Sequence, residues 1–183
     1  NVSAVSLNNF SAISDILNEV TLISSSVGPK FVQDVFDVIN KVQFKNEVTF
    51  IAFENMYRAS STVQKNSEAS NPYLTVIDAV VDKIIPPQKK VSLDVIVENY
   101  GSIILDESKT KPLEISDIVK YGHYEEEFIK KLWLLNGLHL QLAYFGISKG
   151  YKYLHEIYKS DEGKEFAIKA SSELMNAFSL FAK

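Results

Sequence analysis

The residues whose types and spacing could do chemistry are concentrated in the segment KKLWLLNGLHLQLAYFG, residues 130–146. Its apolar side chains point to every side of a helical wheel, which predicts a buried helix. Lys131, Asn136 and His139 nevertheless fall within one arc of about 140° on that wheel. Burying an ammonium, an amide and an imidazole together is costly unless they bind one another, water or a ligand. The spacing leaves two interpretations open: a structural Asn–His hydrogen bond with a lysine reaching water, or a catalytic cluster.

Arg58 is a second candidate, because it is the only arginine among 19 basic residues. A planar guanidinium binds phosphate or carboxylate through two parallel hydrogen bonds, which an ammonium cannot do. We therefore predict that Arg58 either contacts a phosphate group of a ligand or anchors an acidic partner such as Glu54. Asn55, three residues earlier, either aims its amide at a ligand or bonds its own turn.

Other candidates are an aspartate, a Gly-Pro pair and two histidines. Asp82 follows the apolar run TVIDAVV, and it either pairs with a lysine at the surface or is available to a polar ligand. Gly28-Pro29 follows a strand-like segment, where glycine would let the backbone approach a ligand. The alternative for this pair is a proline at the first position of a helix. His123 and His155 have no companions at ligand spacing, and we expect both at the surface.

The elements that must position these residues begin with a βαβ unit. The patterns predict a helix capped by Asn8 or Asn9 and running through Val20, a strand at Val20–Ser26, a helix at Lys30–Val42 and a strand at Val48–Phe53. The last strand, VTFIAF, is apolar throughout, which is typical of a parallel strand covered on both faces. Ligands meet parallel sheets at the carboxyl ends of the strands, here Ser25–Pro29 and Glu54–Arg58.

The rest of the chain predicts more strands and then helices. We expect a loop over 60–72, an apolar run from Tyr73 to Pro87, and strands at Val91–Glu98 and Ser102–Asp106 joined by a turn at Tyr100-Gly101. From Ile115 onward we expect a helical pattern, and within it helices over 124–149 and 161–182. The fold class is therefore α/β: residues 1–118 form a parallel sheet with added strands, and residues 119–183 form an all-helical part.

Composition and spacing exclude several classes of function. The sequence has no cysteine, which excludes disulfides, a thiolate zinc site and a cysteine nucleophile. The net charge is −4 without any basic block, so we expect no nucleic-acid binding. No run of about 18 apolar residues predicts a membrane span, and the seven glycines form no phosphate-binding loop. The chain starts at Asn1 without a secretory signal, so we expect a cytoplasmic protein recorded from an internal position.

The sequence resembles the polyol-specific long-chain dehydrogenases, the mannitol dehydrogenase family, whose branch acting on mannitol 1-phosphate is the nearest. The resemblance rests on Lys131-x4-Asn136-x2-His139 followed by LAYFG, and on four segments that agree in the same order: SSSVGP at 24–29, IAFENMYRAS at 51–60, VVDKIIPP at 80–87 and LDVIVENYGSIILDE at 93–107. Together they cover most of the chain. The resemblance implies the latter part of a Rossmann-like dinucleotide-binding domain (1–118) and the first part of a helical substrate domain (119–183), with the family's Gly-rich loop upstream.

The activity that the resemblance implies is the interconversion of mannitol 1-phosphate and fructose 6-phosphate by metal-independent hydride transfer to or from NAD. Lys131 is then the general base, which requires a pKa depressed by burial. Asn136 and Asn55 donate N–H groups to the reacting oxygen, and His139 bonds the substrate or positions Lys131.

The resemblance also implies binding roles. Asp82, followed by Lys-Ile where the family has Arg-Ile, binds substrate hydroxyls, and Arg58 is the candidate for the substrate phosphate. Three residues at the predicted carboxyl edge contact the cofactor: Gly28, Pro29 and Glu54.

Two other functions remain open. The chain could be a non-catalytic remnant or domain of the family that acts as a binding or structural module. It could also be a family member that acts on an unphosphorylated polyol or a hexuronate. We expect a monomer whose partner is a small molecule, with no metal and no nucleic-acid or membrane partner.

Overall fold

The structure is a computed structural model that describes residues 2–83, 94–97, 99, 101–109 and 119–181. The chain divides into two compact units, Asn1–Tyr124 and Glu125–Lys183. Each unit is described by itself below.

The first unit begins with the expected βαβ pattern. Helix α1 (Phe10–Leu17) is capped by Asn9, whose side-chain oxygen accepts from the Ala12 N–H at 3.3 Å. Such caps satisfy an amide that the helix leaves without a partner. It is followed by β1 (Leu22–Ser25), α2 (Val32–Asn40) and β2 (Val48–Ala52). Strands β1 and β2 pair in parallel with Ile23 opposite Phe50, which confirms the predicted parallel sheet.

Strand β2 is covered on both faces, as its apolar sequence predicts. Phe50 belongs to one buried cluster and meets the ring of Phe36 edge to face, with centroids 5.1 Å apart. Ile51, the next residue, belongs to a second cluster with Ile77 and Leu105. Successive residues of a strand point to opposite faces, so both faces of the sheet are packed.

A helix lies where a loop was expected. Residues 60–72 are polar, but α3 spans Ala59–Asn66. Tertiary contacts stabilise it: the Ser60 hydroxyl accepts from the Ala52 N–H at 2.8 Å, and Val63 is buried. The loop prediction was wrong over residues 60–66, because only one large apolar residue of this helix faces the core, too few to set a helical period, and it is confirmed over residues 67–72.

The described residues form two three-stranded sheets, which follow one another along the chain. Strand β3 (Leu74–Ile77) pairs in parallel with β2 and completes the first sheet. After Asp78 the chain enters the second sheet, which consists of β4 (Ala79–Asp82), β5 (Ser102–Asp106) and β6 (Val119–Gly122). Strand β5 is antiparallel to β4 and parallel to β6.

The second sheet corrects two expectations. Residues 94–97 are not in a strand, and the rest of the expected strand Val91–Glu98 lies outside the described residues, as does Tyr100 of the expected turn. Strand β5 instead pairs with β4, and Gly101, with φ +108°, lies so close to the Asp82 backbone oxygen that a Cβ there would collide with it. The helical pattern expected from Ile115 is also wrong over Val119–Gly122, because four residues are too short to show a period and the ladder with β5 makes them a strand.

The second unit is helical. A continuous helix begins with α4 (Tyr124–Lys130), passes through a π-helical segment (Lys131–Gly137) and ends with α5 (Leu138–Ser148). A 3₁₀ segment (Leu154–Lys159) and helix α6 (Asp161–Phe181) follow. The expected extents of both long helices are confirmed to within two residues.

The long helix is less buried than its composition predicts. Leu142 is buried against Ile157, and Phe145 stacks on Phe166 with ring centroids 4.3 Å apart. Leu140 and Tyr144 are 57% and 68% exposed. The expectation of a helix buried all round was wrong within this unit, because the 3₁₀ segment and α6 cover only one of its sides.

Candidate functional site

The first cluster of candidate residues lies at the carboxyl end of β1. The Glu54 carboxylate is buried and accepts from the backbone N–H groups of Val27 and Gly28, at 2.8 and 2.9 Å. Gly28 has φ +92°, a conformation that favours glycine, and a Cβ added to it would meet nothing within 4 Å. Adjacent N–H groups in such a turn form an anion-binding concavity. Here the carboxylate of the protein itself occupies it.

Pro29 lies in the turn and not in the helix. Helix α2 starts at Val32, and the Phe31 N–H donates to the Gly28 oxygen at 3.0 Å. The alternative that Pro29 opens the helix at its first position is therefore wrong. Pro29 is exposed, whereas the Ser25 hydroxyl at the end of β1 is buried and has no hydrogen-bond partner in the described part of the chain. Buried hydroxyl groups are rarely left without a partner.

The second cluster is built around Arg58, after β2. Its guanidinium donates from Nη1 to Oδ2 of Asp78 and Oδ2 of Asp106, at 3.2 and 3.3 Å. The same guanidinium lies 4.6 Å from the ring centroid of Tyr124, and the Arg58 backbone N–H donates to the Tyr124 hydroxyl at 2.6 Å. Arg58 is therefore held by two carboxylates and by Tyr124, and the ring of Tyr57 lies farther off, at 5.9 Å from the guanidinium.

Both aspartates were missed by sequence reasoning. Asp78 is fully buried, and its carboxylate accepts from the backbone N–H and the hydroxyl of Ser61, at 2.9 and 2.6 Å. The signal that could have found them is an acidic residue inside or at the end of an apolar strand run, VIDAVV and SIILD, in a chain with a single arginine. Buried carboxylates need charged or hydrogen-bonding partners.

The carboxyl group of Asp106 is stabilised in its charged form. Burial by itself raises its pKa, but hydrogen bonds from the hydroxyl and backbone N–H of Ser108, at 2.7 and 3.0 Å, together with the Arg58 guanidinium, hold the pKa below the ordinary value for aspartate. Asp106 therefore stays ionised beside Arg58 at neutral pH.

These contacts bear on whether Arg58 binds a phosphate group or anchors acidic side chains. Its acidic partners are Asp78 and Asp106, and the carboxylate of Glu54, which the sequence suggested, binds the turn at residues 27–28. The guanidinium is thus already bound by two carboxylates, and the Lys109 ammonium lies beside the same cluster, donating to the Ser61 hydroxyl at 2.7 Å. The geometry favours the acid-anchoring interpretation, and phosphate contact by Arg58 stays a prediction.

Asn55 and Asp82 also belong to the first unit. Asn55 is exposed in the connection from β2 to α3, between Glu54 and Arg58. Asp82 is half-buried at the end of β4, opposite Ser102. His123 is exposed, as expected, and so is His155 of the second unit.

The third cluster lies in the second unit, on the long helix. Lys131 and Asn136 both fall in the π-helical segment, and His139 follows in α5. All three are half-buried. Because a π-helix is bonded from residue i to residue i+5, Asn136 follows Lys131 by about one turn, closer to one face than an α-helix allows. Short π-helical segments inside α-helices are frequent at functional sites, and the sequence pattern gave no sign of this one.

No group of three or more histidines and carboxylates that could hold a metal ion occurs within the described ranges. The same residues contain no helix long and apolar enough to cross a membrane.

The architecture, a partial Rossmann-like parallel sheet with added strands followed by helices, places the chain in the α/β class that the sequence predicts. No protein-family model matches the chain. Its sequence is similar to proteins named mannitol-1-phosphate 5-dehydrogenase. One from Mycoplasmopsis pulmonis is 33% identical over 95% of this chain and 48% of the relative. Others from Mycoplasma pneumoniae and Clostridium acetobutylicum are each 29% identical, over 90% and 98% of this chain and 45% and 52% of the relatives.

These comparisons confirm the predicted resemblance to mannitol-1-phosphate 5-dehydrogenases along nearly the whole chain. The relatives are dehydrogenases, so the similarity is to a family of oxidoreductases. The chain spans about half the length of the curated relatives it matches.

Proposed function

We propose that this protein interconverts mannitol 1-phosphate and fructose 6-phosphate by hydride transfer to or from NAD. The observation that carries the proposal is the π-helical turn holding Lys131 and Asn136, in a chain similar to mannitol-1-phosphate 5-dehydrogenases. Because the chain spans about half of each relative, the activity is proposed for the whole protein that contains it.

The turn after β1 is compatible with part of the cofactor. Gly28 leaves open space beside the backbone at the carboxyl edge of the sheet. The N–H groups of Val27 and Gly28 are held by Glu54, so this turn would contact a neutral part of NAD and not its phosphates. Bound NAD supplies or accepts the hydride. Gly28, Pro29 and Glu54 shape the surface it would meet.

Lys131 is the proposed general base. As a neutral amine it would take the proton of the substrate hydroxyl, and as an ammonium it would return that proton in the reverse direction. Asn136, about one turn along the π-helical segment, would donate an amide N–H to the same oxygen as negative charge develops there. His139 would bond the substrate or orient Lys131. Asn55 is the proposed second amide donor. The Asp82 carboxylate would accept hydrogen bonds from substrate hydroxyls.

The decisive experiment compares two neighbouring lysines. Lys130 is exposed and pairs with Glu127 at 3.6 Å, so Lys130→Ala is a matched control for Lys131→Ala. Loss of a general base costs on the order of 10²–10⁴ in rate, so we expect Lys131→Ala to lose at least 100-fold in kcat for fructose 6-phosphate with NADH. Lys130→Ala should stay within twofold. Equal losses in both variants would contradict the assignment, and a wild-type protein that neither oxidises nor binds NADH would favour a non-catalytic module.

The two carboxylates that bind Arg58 are the reason to test a second class of substrate. Since the guanidinium is already bound by Asp78 and Asp106, an unphosphorylated polyol is the alternative to a sugar phosphate, and a hexuronate, itself an anion, is the other alternative within the family. Comparing kcat/KM for fructose 6-phosphate, fructose and a keto-hexuronate separates these substrates. A preference for fructose over fructose 6-phosphate would overturn the phosphorylated substrate while keeping the reaction.

A further inference from the structure

The backbone of Arg58 is in an uncommon conformation. With φ 44° and ψ 50° it is left-handed, and it is the only non-glycine residue with positive φ among those that the structure describes. Arg58 also stands at the start of α3, where the Thr62 N–H donates to its carbonyl oxygen at 2.8 Å. A long side chain in this conformation is strained, and it persists only where surrounding contacts hold it.

The contacts that hold Arg58 come from distant parts of the first unit. Asp78 stands between β3 of the first sheet and β4 of the second, and Asp106 ends β5. Tyr124 follows β6 and provides both the hydroxyl for the Arg58 N–H and the ring beneath the guanidinium. One residue thus connects segments that follow strands of both sheets.

The same contacts fix one end of the turn between β2 and α3. The other end is fixed by the Phe53 N–H, which donates to the Ser25 oxygen at 2.9 Å, and by the carboxylate of Glu54 on the N–H groups of the β1 turn. Asn55 lies between these two fixed ends and is exposed. Arg58 therefore fixes one end of the short stretch of backbone that carries Asn55.

We propose that Arg58 is a positioning residue, which clamps the turn at residues 53–58 to Asp78, Asp106 and Tyr124 and thereby sets the place of Asn55. The catalytic consequence rests on the proposed function, whereas the clamp itself does not. A lysine keeps the charge but has no flat guanidinium that can lie 4.6 Å from the Tyr124 ring centroid while it donates to both carboxylates. Arg58 then acts on the reaction through Asn55 and does not touch the substrate.

The test is Arg58→Lys in the full-length protein, with Lys65→Arg as the matched control, because Lys65 is exposed in the last turn of α3. Small misplacements of reacting groups lower rates on the order of 10²-fold. We expect Arg58→Lys to lower kcat for fructose 6-phosphate by about 10- to 100-fold. Its KM and the inhibition constant of inorganic phosphate should change less than twofold. A rise in both constants with kcat unchanged would show phosphate contact and overturn the proposal.

Amide hydrogen exchange tests the clamp without any assumption about activity. Arg58→Lys should speed exchange at residues 53–58 at least tenfold and leave the amides of β2 (Val48–Ala52) unchanged. Unchanged exchange at 53–58, or equal acceleration in β2, would overturn the clamp. If the wild-type protein has no activity on any of the sugars, the proposed function fails while this measurement still decides the clamp. Should Arg58→Lys not fold, Tyr124→Phe, which removes the hydroxyl that accepts from the Arg58 N–H, replaces it with the same expected outcome.

Discussion

The two units hold their candidate residues in different ways. In the first unit, Arg58 is fixed by Asp78 and Asp106, partners 20 and 48 residues away along the chain. In the second unit, Lys131 and Asn136 are brought close by a change of helical geometry over seven residues. The first arrangement depends on the packing of two sheets, and the second on the backbone of one helix.

The units also differ in how much apolar surface they bury. Phe36 and Phe50 are almost completely buried in the first unit, whereas Leu140, Tyr144 and Ile168 of the second unit are all more than half exposed. Substitutions of buried apolar residues in the first unit should therefore act mainly through stability. Substitutions on the exposed side of the second unit should leave stability almost unchanged.

The largest effect is expected from a core substitution in the first unit. Phe50→Ala should lower the free energy of unfolding by about 3–5 kcal/mol, because it removes a buried ring that packs on Phe36. Leu140→Ala in the second unit should change it by less than about 0.5 kcal/mol. Urea unfolding followed by circular dichroism and by the emission of Trp133, the only tryptophan, measures both. Similar losses in the two variants would remove the contrast between the units.

A smaller effect is expected from removing a buried charge. Asp78→Ala leaves Arg58 and the Ser61 N–H without this acceptor, and we expect a loss of about 1.5–3 kcal/mol. The control is Lys164→Ala, which removes the exposed ion pair with Asp161 in the second unit and should cost at most about 1 kcal/mol. Chemical denaturation at pH 7 compares them. A loss in Asp78→Ala no larger than in the control would mean that the Arg58 cluster adds little to stability.

The smallest expected effect is a dependence of stability on pH. We compare it for one carboxylate from each unit, Asp106 and Glu156. The pKa of Asp106 is lowered in the folded protein, so the unfolded chain binds more protons as the pH falls. Its stabilisation is complete above the unfolded pKa of about 3.9 and is lost as the pH falls through the lower folded pKa. The stability difference between wild type and Asp106→Asn should thus be constant from pH 7 to about 5 and shrink below about pH 4.

Glu156 provides the comparison for this pH effect. Hydrogen bonds from the backbone N–H groups of Tyr153 and Lys152 lower its pKa in the same direction, but it lies at the surface. Glu156→Gln should show the same sign with a smaller amplitude, which denaturation curves between pH 7 and 3 can resolve. A difference for Asp106→Asn that grows on acidification would reverse the sign and contradict the lowered pKa.

Local elements were predictable where a periodic pattern extended over many residues or where a segment was apolar throughout. The Asn9 cap, the parallel pairing of β1 with β2 and the extents of the long helices all follow from patterns within about 25 residues. Helix α3 and strand β6 were not predictable. One has a single large buried side chain, and the other has four residues, so neither shows a period that could be read.

The sequence singled out Arg58 and Glu54 as candidates but did not identify the partners that each of them has in the structure. The lone arginine drew attention to Arg58, and Glu54 was suggested as its partner. In the structure, the Glu54 carboxylate binds the turn after β1. Arg58 binds Asp78 and Asp106, which had not been singled out from the sequence. The carboxylates of Glu54, Asp78 and Asp106 can each bind a guanidinium. Only the register of the sheets decides which of them come within reach of Arg58.

The sequence by itself determined the α/β class, the order of the first elements and the placing of Lys131, Asn136 and His139 on one helix, because these depend on periodicity and neighbouring residues. The tertiary structure alone decided the partners of Arg58, the helix at Ala59–Asn66 and the pairing of β5 between β4 and β6. Those features join residues far apart in the chain. Such contacts form only when separate strands meet in one register, and no local pattern specifies which strands will meet.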